Sequence, residues 1–130
     1  MRVITIAFAV LVFAGEVFAQ TLPRTIDMTA PFVSLDGVQL KGDGDRQETL
    51  GSVVARVLMQ VPDQKATLQE LLQRGDLAKR VKDNPKAEMT SEEIALVKRL
   101  LVEGYKTPMV VMPAVCAIDP AEKGCGASKP

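Results

Sequence analysis

The sequence predicts an α+β domain, mainly α, in which an N-terminal β-hairpin at about residues 32–41 packs on a small bundle of three to four helices. Three observations carry that reading. Apolar residues recur at helical spacing through about 50–61 and 90–105, the pattern of a helix with one buried face. Asp36-Gly37 separates two short apolar segments and suits a two-residue hairpin turn, where both central positions need positive φ. Thr90 followed by Glu93 is the signature of a capping box at a helix start.

Taken in order, the chain opens on a leader. Arg2 gives a short positive start, Ile4 to Gly15 is apolar apart from Thr5, and Val17-Phe18-Ala19 supplies the small residues a signal peptidase reads. Residues 1–19 are therefore expected to be a signal peptide cleaved after Ala19. The apolar run is shorter than the roughly 20 residues a membrane-spanning helix needs, and no lipid-anchor cysteine follows it. A soluble exported product, periplasmic or secreted, with no stable membrane association is the expectation. A start at Met28 would remove the leader altogether.

Residues 20–31 show no periodicity, and Pro23 and Pro31 discourage helix, so this stretch is expected as an extended lead-in. The folded domain then runs over 32–118. In the hairpin, Leu35 is expected to face Val38, and Val33 to face Leu40, with all four packed on the helices. Asp43 and Asp45 in the following loop suggest calcium, but Glu48 stands where an EF-hand needs glycine and the twelfth position is no glutamate. A solvated turn accounts for them better.

Thr49 is expected to cap a helix over 50–61 that buries Leu50, Val53, Val54, Val57, Leu58 and Val61, with Pro62 ending it. Asp63 is expected to cap the next, which buries Leu68, Leu71 and Leu72. At about 100° per residue Leu77 and Val81 leave that face, so a break is expected at Gly75-Asp76, followed by a short helix over 77–82. Asn84-Pro85 turns into the central element, Glu88 to Tyr105. There Met89 and Ile94 form a hydrophobic staple, and Ile94, Val97, Leu101 and Tyr105 make a stripe widened by Ala95, Leu96, Leu100 and Val102. Gly104 is expected to stop it. Thr107-Pro108 then reads as a cap with proline at the first helical position. Met109 to Ile118 is the most apolar stretch after the leader, and Pro113 leaves a broken short helix and a buried strand as competing readings. Residues 119–130 read as a flexible tail.

Composition narrows the chemistry. The 130 residues hold 16 basic and 16 acidic side chains and no histidine. Removing the leader takes Arg2 and Glu16, one charge of each sign, so nothing electrostatic points to nucleic acid. The missing histidine removes the commonest general base and metal ligand. Cys116 and Cys125 are the only cysteines, and in an exported chain they are expected to form a structural disulfide. Two sulfurs do not fill a zinc site, and the spacing is too wide for a Cys-x-x-Cys redox motif. Glu92 with Glu93, and Asp43 with Asp45, are carboxylate pairs better explained by a helix start and a turn. The serines lie in no nucleophile motif, and Gly42-Asp43-Gly44 is no phosphate loop. No catalytic residue, cofactor or metal is assigned. Tyr105, Met109 and Met112 are expected to fill the core, and whatever part of them Pro113 keeps from packing is the candidate contact surface for an unknown protein partner, a use to which methionine adapts.

Asp27-Met28-Thr29-Ala30-Pro31, Leu35-Asp36-Gly37, Thr49-Leu50-Gly51, the run Thr90 to Lys98, and Tyr105-Lys106-Thr107-Pro108 together resemble small uncharacterised proteins often encoded by bacteriophages and prophages. The resemblance covers about Asp27 to Val115. It implies a compact non-enzymatic accessory, such as one of particle assembly, and no site residues to carry over. The chain departs from that pattern in its leader and its cysteine-bearing tail. Three functions are thus set against one another: an exported protein acting by contact, a cytoplasmic phage-derived assembly accessory, and a histidine-free hydrolase whose cleft would gather distant carboxylates.

Overall fold

The computed structural model describes residues 23–125. It is mainly helical with a small antiparallel sheet, in the order β1 (Arg24–Asp27), α1 (Leu50–Gln60), α2 (Leu68–Asp83), β2 (Lys86–Met89), α3 (Ser91–Tyr105) and α4 (Pro108–Ile118). The leader and its cleavage position lie outside the described residues.

The regular sheet joins distant segments. β1 pairs with β2 in the register Arg24↔Met89, Thr25↔Glu88, Ile26↔Ala87 and Asp27↔Lys86, and Ile26, Met28, Ala87 and Met89 are buried beneath it. The segment expected as a lead-in therefore contributes a strand and core residues. Met28 N–H continues the pairing to the Pro85 carbonyl at 2.8 Å.

The chain does reverse at Asp36-Gly37, but through a three-residue loop. Ser34 N–H reaches the Val38 carbonyl at 2.9 Å, Gly37 N–H reaches the Ser34 carbonyl at 2.9 Å, and Gly37 takes φ 82°, as a type I turn with a left-handed glycine requires. Val33 consequently bridges to Gln39 rather than Leu40. Because side chains alternate with period two, a slip of one residue turns the set over. Phe32 and Ser34 point inward, while Val33, Leu35 and Val38 face solvent, so that of the four side chains expected on the helices Leu40 alone packs against the core.

Threonine caps begin the first three helices. Thr49 with Ser52, Thr67 with Glu70, and Thr90 with Glu93 each close a capping box, satisfying backbone donors that a helix start leaves unpaired. α2 thus begins at Thr67, four residues beyond the expected Asp63 cap. It also runs unbroken through Gly75-Asp76 to Asp83. Its buried face is Arg74, Leu77, Ala78 and Val81, while Leu68, Leu71 and Leu72 stand in solvent. Arg74 explains the choice. Buried to 4% exposure, it donates from Nε to the Leu58 carbonyl at 2.9 Å and from Nη2 to the Val61 carbonyl at 2.6 Å, placing a cation at the negative end of α1.

α3 buries Ile94, Val97, Leu100 and Leu101, while Ala95 and Val102 are exposed. It packs on α1 and α4, but α1 is the hub, touching α2, α3 and α4. Lys106, at φ 52°, takes the left-handed terminal position expected of Gly104. Gly104 serves packing instead: a Cβ there would lie 2.9 Å from Val61 Cγ2, so its absence lets α3 approach α1.

α4 is a continuous helix through Pro113. The proline has no N–H for the Met109 carbonyl, and the Leu35 N–H takes its place at 3.0 Å. The turn at 35–37 is thereby fastened to α4.

Candidate functional site

α4 contains no charged residue, yet only Ala114 and Ile118 are buried. On its α3 side, a groove of about 310 Å³ is lined by Val102 of α3, Val111, Met112 and Val115 of α4, and the Cys116–Cys125 disulfide, with Lys98, Glu122 and Lys123 as its charged members.

The far wall is held by a crosslink and a charge cluster. Cys116 and Cys125 are bonded, with Cα atoms 5.3 Å apart, so the segment after Ile118 folds back against α3. Lys98 Nζ meets Asp119 Oδ2 at 2.9 Å and also pairs with Glu122, while Arg24 Nη1 meets Asp119 Oδ1 at 2.8 Å. Residues 119–125, expected as tail, are thus tied to both α3 and β1; residues 126–130 lie outside the described residues. Glu122 and then Asp119 raise the Lys98 ammonium above its ordinary pKa. Lys98 in turn holds both carboxyls below theirs, with Arg24 adding to the effect on Asp119. Lys98, Asp119 and Glu122 are therefore charged at neutral pH.

The three expected contact residues do not form one site. Met112 lines the groove. Met109 is exposed on the outer face of α4, with its carbonyl engaged by Leu35. Tyr105 lines a separate depression of about 510 Å³ with Val57, Gln60, Val61 and Pro62. There its hydroxyl accepts a 3.5 Å hydrogen bond from Arg56, whose guanidinium pairs with the buried Glu48. Val102, Val111 and Val115 are groove residues the sequence reading missed. The available signal was the helix itself: with no polar side chain, α4 must show an apolar face wherever it meets water.

A larger depression of about 580 Å³ between α2 and α3 gathers Asp76, Arg80, Glu92 and Glu93. Glu93 is occupied there, accepting the Thr90 N–H at 2.9 Å and pairing with Arg80. Asp76 and Glu92 are exposed, which gives neither the desolvation a general acid requires. Among the described residues no three Asp, Glu, Cys or His side chains cluster to hold a metal, and no helix is long and apolar enough to cross a membrane.

Comparison with protein-family models, curated proteins and solved structures gives no match for this chain. The site stands on its own geometry.

Proposed function

We propose that this is an exported, non-enzymatic protein that works by contact, receiving an apolar protein segment in the groove between α3 and α4. The observation that carries the reading is the uncharged α4, which leaves most of its side chains outside the core beside a groove walled by valines, a methionine and a disulfide. Exposed contiguous apolar surface of this kind marks contact sites. The leader, with cleavage after Ala19, and the disulfide support export to an oxidising compartment.

Site-specific photo-crosslinking in the producing cell tests this reading. A photoreactive residue replacing Met112 is expected to give a discrete protein adduct, whereas one replacing Lys86, exposed on β2, gives none. Intact mass of the uncrosslinked chain should show a start at Gln20 and two hydrogens missing. Absence of adducts at Met112, or equal adducts at both positions, would overturn the contact reading.

A further inference from the structure

A second apolar surface lies on a different flank of the molecule. α2 packs on α1 and β2, whereas α4 packs chiefly on α3. At the start of α2, Leu68 and Leu72 are 74% and 62% exposed. At about 100° per residue they lie 120–160° from the buried Arg74, so they form a convex ridge pointing away from the core. Gly75 extends the ridge by one turn with nothing within 4 Å of where its Cβ would be. The exposed Asp76 follows, and its carboxylate makes no ion pair among the described residues.

The ridge and the groove are complementary. One is convex and apolar with an unpaired acid at its end. The other is concave and apolar, and of its charged members Lys98 and Glu122 satisfy one another while the exposed Lys123 side chain has no ion-pair partner among the described residues. Resting on the groove reading above, we propose that the groove's occupant is a second copy of this chain. Leu68 and Leu72 of one copy enter the groove of the next, with Asp76 facing Lys123. Donor and acceptor surfaces differ, so the contact is heterologous and repeats head to tail instead of closing as a twofold dimer. Two leucines and one rim ion pair make a small interface, of the weak and concentration-dependent class.

Sedimentation velocity of the exported, oxidised chain over a micromolar-to-millimolar series is expected to show average mass rising without a plateau at the dimer. A ridge variant, Leu68→Asp with Leu72→Asp, and a groove variant, Met112→Glu, should each remain monomeric. Mixed in equal amounts they should form a dimer and stop there, because together they retain one intact ridge and one intact groove. Asp76→Lys should weaken association several-fold, and Lys123→Asp in the mixing partner should restore it. This charge swap keeps the test decisive if an apolar-to-acid variant misfolds. A monomeric wild-type chain, a plateau at the dimer, or variants that fail to complement would overturn the proposal. A monomeric chain whose Met112 crosslinks to a different protein would overturn self-association and leave the groove reading standing, whereas no crosslink at all would remove both.

Discussion

α1 and α4 are both eleven-residue, predominantly apolar helices, and they meet water in opposite ways. α1 buries seven of its residues, Leu50, Gly51, Val53, Val54, Ala55, Val57 and Leu58. α4 buries two. The difference lies in pattern rather than content. α1 has Ser52, Arg56 and Gln60 on the side away from its core stripe, so one orientation satisfies nearly every side chain, Met59 alone among its large apolar residues standing in solvent. α4 has no polar side to turn outward, and α3, α1 and the 35–37 turn cover only part of its surface. Its position follows from a proline at its first turn, the Leu35 N–H at the Met109 carbonyl, and the disulfide. The start of α2 belongs with α4: its leucines are apolar and its burial is not. Apolar content decides which segments leave water only when a partner surface exists, and this chain carries more apolar surface than one small core covers.

The largest expected effect separates the two helices directly. Leu58→Ala removes a side chain 2% exposed at the centre of the core and should destabilise by about 2–5 kcal/mol. Met112→Ala trims a side chain 42% exposed and should cost less than about 1 kcal/mol. Urea unfolding at constant m-value reads both. Equal losses would show that α4 is as well covered as α1 and would end the contrast.

A smaller effect tests what holds α4. Replacing both Cys116 and Cys125 with serine opens a crosslink spanning nine residues and should destabilise by about 2–3 kcal/mol on the chain-entropy account. The loss should come with weakening of the Lys98 pairs to Asp119 and Glu122, which depend on the same fold-back. Protection of the 119–125 amides from hydrogen exchange should therefore fall more than that of α1. Unchanged stability would mean that apolar contact alone seats α4, and the two helices would then differ in degree and not in kind.

Much of this was legible from residue spacing. The mainly helical α+β class, the Thr49 and Thr90 caps, the Ile94-Val97-Leu101 stripe, the reversal at Asp36-Gly37 and the Cys116–Cys125 bond all follow from local rules, because capping, helical period and turn chemistry act within a few residues. The failures are long-range. β1 pairs with a strand some sixty residues on, and nothing in Arg24 to Asp27 announces a partner at Lys86 to Met89. The leucines of α2 matched a buried face, but the face was decided by Arg74 reaching carbonyls at the C-terminal end of α1, 13 to 17 residues back in the chain. The hairpin slipped by one residue because Gly37 alone, not Asp36-Gly37 together, takes the left-handed conformation. Of the candidate site, Met112 and the cysteines were found from sequence. Of the valines that complete the groove, Val102 reads as part of a core stripe, and Val111 and Val115 fall in a stretch open to both a broken helix and a buried strand, because a valine in an apolar run is indistinguishable from one that faces a neighbour's absence.

The smallest effect bears on α2, where the glycine that suggested a break sits inside a continuous helix. Gly75→Ala adds a methyl into open space at a position whose φ is that of the surrounding helix. An interior glycine gives up more backbone entropy on folding than alanine, so the substitution should stabilise by about 0.5–1 kcal/mol. At Gly104 the same change should destabilise, since the new Cβ would meet Val61 Cγ2 at 2.9 Å and press α3 away from α1. The opposite signs follow from one distinction: Gly104 lies where two helices are pressed together, and Gly75 on a flank that nothing within the described chain covers. If Gly75→Ala also destabilised, the helix would have to break at that point or the flank would have to be occupied, and the ridge of Leu68 and Leu72 would no longer be the free counterpart of α4.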